Sequence, residues 1–331
     1  MKILITGCAG MIGCYLTADL LKTYPQKQGN QIIGIDNLSR GKISHLREAC
    51  GEFFNELIFI ESDLTVFDEI WASHFYKCDI VIHLADIVAG IGYVFSNESY
   101  VFRTNLLINS NVTKAISEYR PSRYIYVGTA CSFPRNLQLS TSSKPLIEED
   151  QFPASPESGY GWSKLMGEIE AGYLSNENIT NTVVLSLHNV YGKYCDFSLS
   201  TSQVIPSLCY KAICCSKENK ILEIWGNGEQ GRAFVHALDV VKAIKLTFSK
   251  AANKGVIQIG PSKCTSINKL SEIIIKNINC DLTINHNINK PIGDIGRCAN
   301  FNKAKELIGW HPEILLEDGI KDLIDWLKRK I

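Results

Sequence analysis

Tyr160 and Lys164 are the residues whose types and spacing most clearly suggest chemistry. They stand four residues apart in the segment YGWSK, one helical turn, so their side chains should share a helix face. An ammonium group beside a phenol lowers the pKa of the phenol, which makes the tyrosine a usable base for a hydroxyl proton near neutral pH. The same spacing also occurs on solvated helix faces. The position of the pair in the fold must therefore decide whether it is catalytic or only a surface feature.

The segment GTACSFP, residues 128–134, indicates where the chemistry would occur. It directly follows an apolar, β-branched run, and ligands of parallel sheets bind at the carboxyl ends of the strands. Thr129 and Cys131 are therefore expected at the ligand edge. Most of the twelve cysteines are expected to be small, reduced, buried hydrophobic residues.

A glycine-rich turn follows the first apolar run. Gly7, Gly10 and Gly13 have the spacing G-x-x-G-x-x-G, which lets a turn at a helix N-terminus bind a pyrophosphate through backbone N–H groups. Such a triplet can also be a structural turn, but Asp36 ends the second apolar run, where a carboxylate would bind adenosine ribose hydroxyls. Asp36 also repels a 2′-phosphate, and nearby Arg40 would offset this only in part. The sequence therefore predicts an NAD site and favours NAD over NADP.

Most of the other predicted cofactor contacts lie at the ends of further strands or at the start of the first helix. Lys164 is also expected to hold the nicotinamide ribose, and no metal site is predicted. The remaining predicted cofactor contacts are Met11, Ile12, Asn37, Asp63, Leu64, Leu84, Ala85, Asn105 and Tyr160.

The elements that must position these residues alternate between strand-like and helix-like segments. Continuous apolar strands between helices predict an α/β fold with a Rossmann-type, doubly wound parallel sheet covered on both faces. The predicted strands are Lys2–Thr6, Gln31–Asp36, Leu57–Glu61, Asp79–Leu84, Arg123–Val127 and Thr182–Leu187, and the predicted helices are Met11–Leu21, Tyr100–Tyr119 and Gly161–Ser175.

After about Asn189 the pattern becomes mixed, which predicts a smaller α/β substrate lobe. We expect a cofactor domain at 1–188, to which 239–260 returns, and a substrate lobe made of 189–238 and 261–331. The elements predicted after Asn189 are strands Ile221–Trp225 and Val256–Ile259 and helices Val204–Cys214, Ser266–Asn277 and Glu317–Lys328.

Composition favours a small-molecule substrate. The 331 residues are 45% hydrophobic and carry a formal net charge of zero, so nothing electrostatic points to nucleic acid or an anionic membrane as partner. The first residues lack the pattern of a signal peptide, and no apolar run approaches a membrane span. A cytoplasmic location without membrane association is expected.

Together these motifs resemble the extended short-chain dehydrogenase/reductases of the nucleotide-sugar epimerase, dehydratase and reductase group, from Lys2 to about Trp326. The resemblance implies that Thr129 hydrogen-bonds the reacting hydroxyl, that Tyr160 moves its proton and that NAD takes the hydride. It also implies a homodimer formed through the apolar faces of two helices, although core burial would produce the same faces. Dehydratases of this group carry an acidic residue near the Cys131 position, so elimination of water is not expected.

Within this group, the Cys131 segment resembles those of GDP-mannose 3,5-epimerases and GDP-fucose synthases. There, a cysteine at this position removes a proton beside a transient ketone, so the resemblance implies that Cys131 is a functional thiol. Gly90, Gly92 and Tyr93 resemble the glycine-rich substrate loop of the same families. The matching families place a lysine or histidine acid where this chain has Gln203, beside Val204, so the second proton-transfer residue is missing.

Three further residues match substrate contacts of the group. Asn189 matches an asparagine that binds sugar or phosphate, and Arg232 and Arg297 match diphosphate-binding arginines. A planar guanidinium can engage phosphate oxygens bidentately, although outside this context two arginines would be solvated surface charges. Trp225 would lie near the nucleotide, but packing in the core explains it equally well.

The sequence favours an NAD-dependent epimerase of a nucleotide sugar, with a GDP-sugar preferred, that works through a 4-keto intermediate with Cys131 as base. A simple 4-epimerase of a UDP- or GDP-sugar would need no role for Cys131. An oxidoreductase of a nucleotide keto-sugar is a further alternative. A non-catalytic dinucleotide-binding module is disfavoured because both the glycine turn and the Tyr160–Lys164 pair are intact.

Overall fold

The computed structural model describes residues 1–217 and 220–331. Its strands in these ranges are β1 (Lys2–Thr6), β2 (Gln31–Asp36), β3 (Leu57–Glu61), β4 (Ile80–His83), β5 (Arg123–Thr129), β6 (Asn181–Leu187), β7 (Asn189–Tyr191), β8 (Ile221–Trp225), β9 (Gly231–Arg232), β10 (Phe234–His236), β11 (Val256–Ile259), β12 (Thr265–Ser266), β13 (Thr283–Asn287) and β14 (Gly296–Arg297).

The α-helices in the same ranges are α1 (Met11–Thr23), α2 (Ile43–Cys50), α3 (Glu69–Ala72), α4 (Ile91–Ser96), α5 (Glu98–Tyr119), α6 (Gly159–Asn176), α7 (Val204–Lys217), α8 (Ala237–Leu246), α9 (Ile267–Ile278), α10 (Asn302–Ile308) and α11 (Leu316–Lys328). Short 3₁₀ turns connect several of them, including one at Ala130–Ser132.

Seven strands form a parallel sheet in the order β3-β2-β1-β4-β5-β6-β11. The predicted doubly wound parallel sheet is thus confirmed. The chain leaves β1 towards β2 on one side and returns through β4 on the other, so the strand order reverses between β1 and β4. Ligands of such sheets bind in the crevice at this reversal, beyond the carboxyl ends of the strands.

Apolar side chains cover both faces of the sheet. On one face Ile5 and Ile82 pack with Leu16 of α1 and Ile244 of α8. On the other face Leu4, Val81 and Tyr124 pack with Val112 of α5 and Ala171 of α6, among other residues. Burial of each large apolar side chain stabilises the fold by about 1.5–3 kcal/mol, which is why these strands read as continuous apolar runs.

Two elements have bounds that differ from those predicted by the sequence, and both differences affect the site. β5 continues to Thr129, where it stays in register with Leu187 of β6, so Thr129 is held by the sheet. α6 begins at Gly159 because the hydroxyl of Ser158 accepts a hydrogen bond from the Gly161 N–H. Tyr160 therefore lies in the first turn of the helix.

The chain after β6 builds a second group of elements with its own core. β8 and β13 pair in parallel, and Leu222 and Ile224 of β8 pack beside α7, α9 and α11. β11 lies in the seven-stranded sheet. The predicted domain boundaries stay a prediction, and residues 218 and 219 of the range 189–238 lie outside the described residues.

Cys264 and Cys298 form a disulfide. Strands β12 and β14 flank β9 on either side, and the two Cα atoms are 5.4 Å apart, within the usual range for a disulfide. The prediction of reduced cysteines is wrong for this pair, because only the tertiary pairing of these short strands brings the two residues together. Six of the ten free cysteines are buried, as expected.

Helices long and apolar enough to cross a membrane are absent from the described residues.

Candidate active site

A cavity of about 460 Å³ lies at the carboxyl edge of the sheet and extends to the second group of elements. Its size is typical of a small-molecule site. The predicted site residues that line it are Gly7, Gly10, Met11, Ile12, Gly13, Asp36, Asn37, Asp63, Leu64, Leu84, Ala85, Gly90, Gly92, Tyr93, Thr129, Cys131, Tyr160, Asn189, Gln203, Val204, Arg232 and Arg297.

Two predicted site residues lie behind the cavity wall. Asn105 is fully buried, and its side-chain amide bonds both the N–H and the carbonyl of Ile87. It therefore shapes the loop after β4. Lys164 is only 2% exposed, and its ammonium lies 3.2 Å from a carboxylate oxygen of Asp86, which itself lines the cavity.

The glycine turn packs directly on neighbouring backbone. Gly7 has φ +71°, and a Cβ there would lie 2.7 Å from the amide nitrogen of Ala85. A Cβ on Gly13 would lie 2.7 Å from backbone atoms of Cys8. The turn ends at the start of α1, where the first N–H groups have no partner within the helix. These groups fit a pyrophosphate.

Asp36 is held at the cavity by the same turn. Its carboxylate accepts hydrogen bonds from the N–H groups of Ala9, at 2.9 Å, and Leu38, at 2.8 Å. Burial raises the pKa of Asp36, although these two bonds work against the rise. Arg40 is paired with Asp196 at 3.0 Å. The nearby guanidinium is thus already paired with a carboxylate and is not free to bind a 2′-phosphate. The arrangement therefore fits the unphosphorylated ribose of NAD.

Replacing Asp36 with alanine should weaken NAD binding by about 10- to 100-fold, the effect of losing hydrogen bonds to a charged group. NADP binding should change little, so the preference for NAD should shrink. Fluorescence titration with both dinucleotides measures this. Glu61→Ala is a matched control, because Glu61 is exposed and lies in register with Asp36 on β3. Equal losses for NAD and NADP would contradict the assigned role of Asp36.

Tyr160 and Thr129 face each other across the cavity edge. A hydrogen bond joins the Thr129 side chain to the Tyr160 phenol, which also donates to Asp86 Oδ2 at 3.3 Å. Gly161 lets α6 approach this closely, because a Cβ there would overlap the carbonyl group of Cys131. The structure thus brings the tyrosine and the end of β5 together, as their positions in the sequence predict.

The pKa of Tyr160 is raised well above its ordinary value, first by burial and then by the Asp86 carboxylate. Lys164, which the sequence predicts to lower this pKa, is not among the main causes of the shift. The ammonium instead lies against Asp86. The sequence contained a signal for this residue, because Asp86 follows Leu84 and Ala85 at the same strand end that marked them as ligand contacts.

Cys131 is half-buried, and Nη1 of Arg297 lies 2.9 Å from its sulfur. The guanidinium of Arg297 also contacts Asp294 and Gln138. A cationic neighbour of this kind is typical of cysteines that react as thiolates. Arg297, predicted as a diphosphate ligand, is thus positioned to act on the thiol as well.

Arg232 is a buried cation without an acidic partner. Its guanidinium donates to the carbonyls of Gly231, at 2.8 Å, and Ile292, at 3.2 Å, and no carboxylate of the described residues lies within ion-pair distance. Burial and the neighbouring Arg297 lower its pKa to about 9. A buried unpaired charge is unfavourable, so an anion entering the cavity would be stabilised here.

Glu168 is a second residue that the sequence did not reveal. It lies one turn beyond Lys164 on α6, where it accepts hydrogen bonds from Ser132, at 3.2 Å, and Gln151. Burial raises its pKa to about 7. Because Ser132 adjoins Cys131, Glu168 fixes the cysteine segment against the helix that carries Tyr160.

The glycine loop packs on the segment that contains Gln203. The N–H of Gly90 donates to the carbonyl of Thr201 at 2.9 Å, and a Cβ on Gly90 would overlap the carbonyl oxygen of Ser202. A Cβ on Gly92 would lie 3.0 Å from the Trp225 ring. The loop thus fixes Gln203 and Trp225 at the cavity wall.

Comparison with known proteins agrees with this geometry. Residues 3–260 match the family described as NAD dependent epimerase/dehydratase. The chain is 28% identical to GDP-mannose 3,5-epimerase of Arabidopsis thaliana, covering 100% of this chain and 83% of that one. It is 27% identical to a putative UDP-glucose 4-epimerase of Methanocaldococcus jannaschii, covering 98% of each.

Solved structures show the same fold. UDP-glucose 4-epimerase of Thermotoga maritima superimposes with a TM-score of 0.86 at 24% identity, covering 100% of this chain and 99% of that one. UDP-glucuronic acid 4-epimerase of Bacillus cereus, solved with UDP-glucuronic acid and NAD, gives 0.83 at 24% identity over 100% of both chains. The resemblance inferred from the motifs is confirmed, and the chain belongs to the NAD dependent epimerase/dehydratase family, with NAD as its cofactor.

Proposed function

We propose that this protein epimerises a nucleotide sugar, with a GDP-sugar as substrate, through a transient 4-keto intermediate and with Cys131 as the base. The observation that carries the proposal is that the Cys131 sulfur, held by Arg297 at 2.9 Å, shares one cavity with the Tyr160 phenol and the glycine turn. One group can thus act on a hydroxyl and another on a neighbouring C–H bond.

The first half of the reaction uses the cofactor side of the cavity. The glycine turn would hold the pyrophosphate of NAD, and Asp36 would hold its adenosine ribose. When bound, NAD supplies the oxidant that removes a hydride from the fourth carbon of the sugar and later returns it. Thr129 orients the reacting hydroxyl, and Tyr160 takes its proton.

The second half uses Cys131. A ketone at the fourth carbon makes the C–H protons on either side acidic, and a thiolate held beside a guanidinium can accept one of them. Inversion then needs a proton from the opposite face of the sugar. Gln203 lines the cavity but carries no acidic proton, so it can orient a donor such as water without being the donor itself.

The anionic part of the substrate is anchored by Arg232. This buried guanidinium lacks a carboxylate partner among the described residues and lies in register with Arg297 on the next strand. A diphosphate would pair with both charges and relieve their mutual repulsion.

A guanine base is supported by the cavity-facing side of β8. Leu222 and Ile224 are buried in the core, and the alternating residues Glu223 and Trp225 line the cavity. Glu223 Oε2 accepts a hydrogen bond from Asn287 at 3.1 Å. A carboxylate matches the adjacent N–H groups of guanine, whereas uracil presents one N–H between two carbonyl acceptors. The relation to GDP-mannose 3,5-epimerase of Arabidopsis thaliana supports the same base.

The proton-transfer role of Cys131 can be tested with GDP-mannose and other nucleotide sugars in deuterated water. The wild-type protein should incorporate deuterium at the third or fifth carbon of the sugar, read by NMR. Cys131→Ala should lower this incorporation by about 100-fold or more, because general base catalysis is lost. Cys280→Ala is the control, because Cys280 is also a partly exposed free cysteine but does not line the cavity.

A simple 4-epimerase is the second candidate, and the amide at Gln203 is the observation that favours it. Such an enzyme needs hydride removal, rotation of the sugar and hydride return, without proton exchange at carbon. Inversion at the fourth carbon without deuterium would establish this candidate and remove the role of Cys131. Cys131→Ala would then keep its activity.

The homodimer and the cytoplasmic location stay predictions. The homodimer would use the outer faces of α5 and α6, where Leu107, Trp162 and Tyr173 are exposed.

A further inference from the structure

Three side chains contact the guanidinium of Arg297, and the Cys131 thiol is only one of them. Nε donates to the side-chain oxygen of Gln138, Nη2 pairs with Asp294, and Nη1 lies 2.9 Å from the Cys131 sulfur. Nε and Nη2 lie along one edge of the planar guanidinium, an edge that a carboxylate often occupies with both of its oxygens. Here Gln138 and Asp294 share that edge, which leaves Nη1 directed at the sulfur.

Gln138 is fully buried between the segment GTACSFP and β14. Its side-chain nitrogen donates to the carbonyls of Phe133, at 3.3 Å, and Pro134, at 3.1 Å, and its backbone carbonyl accepts from the N–H of Ile295 at 2.8 Å. Because the side-chain nitrogen is bound to these carbonyls, the side-chain oxygen faces Arg297. Gln138 therefore joins the segment that carries the thiol to the strand that carries the guanidinium.

Asp294 competes with the thiol for the same guanidinium. It is 2% exposed, and its second oxygen, Oδ1, is buried without a hydrogen-bond partner among the described residues. A buried carboxylate oxygen without a partner is unfavourable, so Oδ1 would accept a second N–H group of Arg297 if one were free. The N–H group on the shared edge is occupied by Gln138, which thus prevents Asp294 from pairing with Arg297 at two points.

We propose that Gln138 is a positioning residue, which holds the Arg297 guanidinium on the Cys131 sulfur in competition with Asp294. The thiol thereby stays beside a cation that favours its ionised form, the form that can accept a proton from carbon. Gln138 does not line the cavity, so it acts on the thiol only through Arg297. This inference rests on the proposed function, in which Cys131 is the base.

Other charged or titratable groups face the same guanidinium and thiol. They are Arg232, which lies in register with Arg297 on β9, His188 after β6, Glu157 before α6 and Tyr160 in the first turn of α6. His188 is uncharged at neutral pH, because burial lowers its pKa to about 4. All four groups stay the same in the variants described below, so differences between these variants report on the contact between Arg297 and the thiol.

Alkylation of Cys131 by iodoacetamide, followed by mass spectrometry of its peptide, measures the ionised fraction of the thiol without any substrate. Gln138→Met keeps the length of the side chain but removes the oxygen that holds Arg297. The alkylation rate at pH 7 should fall by about tenfold relative to the wild type, because the thiol loses its cationic neighbour. At pH 9.5 the two rates should agree within about twofold, because the thiol is then largely ionised in both proteins.

A role for Gln138 in packing alone would give a different result. It would expose Cys131 and raise the alkylation rate at both pH values, and this outcome would overturn the inference. Equal rates at pH 7, or a tenfold loss that persists at pH 9.5, would overturn it as well. Cys280 is the internal reference, because it is a partly exposed free cysteine outside the cavity, and its rate should not change. Gln28→Met is the matched control, because Gln28 also ends a 3₁₀ turn that follows a proline but is exposed.

Asp294→Asn tests the competition while Gln138 stays in place. The amide oxygen can still accept from Nη2, but the negative charge is gone, so alkylation of Cys131 at pH 7 should rise by about threefold or more. In this background Gln138→Met should lower the rate by less than about twofold, because no carboxylate is left to draw Arg297 away. An equal loss in both backgrounds, or no rise in Asp294→Asn alone, would show that Asp294 is not the competitor and would refute the inference.

The alkylation and deuterium experiments can fail independently. If Gln138→Met slows alkylation as expected but no nucleotide sugar takes up deuterium, the positioning role stands and the proposed function fails. If the wild type incorporates deuterium but Gln138→Met is alkylated at the wild-type rate at pH 7, the proposed function stands and this inference fails. If both are correct, Gln138→Met should also lower deuterium incorporation at pH 7 by about tenfold, and the deficit should shrink at higher pH.

Discussion

Tyr160→Phe should reduce turnover by about 1,000-fold or more, because the variant loses the group that moves the proton of the reacting hydroxyl. The phenyl ring keeps the apolar contacts of Tyr160 with Ile87, Val94 and Val101, so the fold should be retained. Asp86 and Lys164 would remain paired with each other. Turnover of the nucleotide sugar, together with thermal unfolding and NAD titration, separates the loss of chemistry from any loss of structure.

Tyr76→Phe is the control for Tyr160→Phe, because Tyr76 is also a tyrosine but is 56% exposed and does not line the cavity. It should leave turnover within about twofold of the wild type, as expected for a surface change. If Tyr160→Phe kept a tenth of the wild-type rate, Tyr160 would not be the group that takes the hydroxyl proton.

The cofactor half of the site was predictable because its determinants are local. The glycine turn, the start of α1 and the end of β2 lie within the first 36 residues, and each follows from strand periodicity and spacing. The ordering of parallel strands then brings every strand end to one edge. Thr129 and Cys131 were placed by the same rule, and both line the cavity together with Tyr160.

The electrostatic partners could not be predicted in this way, because they join distant segments. Tyr160 and Asp86 are 74 residues apart, and Arg297 and Cys131 are 166 residues apart. Helical spacing showed that Tyr160 and Lys164 share a face but not which group lies opposite that face. Burial, and then the anion that faces them, raise the pKa of Tyr160 instead of lowering it.

The residues that contact the reactive groups therefore differ from those that the motifs suggest. The sequence predicts a lysine acting on a tyrosine and a cysteine acting alone. In the structure each reactive group has a partner of another kind, a carboxylate for the phenol and a guanidinium for the thiol. Each reactive group is thus held by a charged residue that lies far from it in the sequence.

The glycine turn provides the second large expected effect. In Gly13→Ala the new Cβ would lie 2.7 Å from the backbone carbon atoms of Cys8, which cannot move without opening the turn. Overpacking of this kind lowers the free energy of unfolding by about 1–3 kcal/mol. NAD affinity should fall by more than about 100-fold, since the N–H groups at the start of α1 lose their arrangement.

Gly10→Ala separates folding from binding within the same turn. Its Cβ would meet only the carbonyl oxygen of Gly7, at 3.3 Å, so the free protein should lose at most about 1 kcal/mol of stability. NAD binding should still weaken, because the methyl group occupies cavity space at the start of α1.

Gly172→Ala is the control, because a Cβ at this helix position meets no atom within 4 Å and should stabilise the protein by up to about 1 kcal/mol. Denaturant unfolding and NAD titration of the three variants should therefore give three distinct patterns. If Gly13→Ala unfolded at the same denaturant concentration as Gly10→Ala, the close packing of the turn would not be what holds the cofactor site.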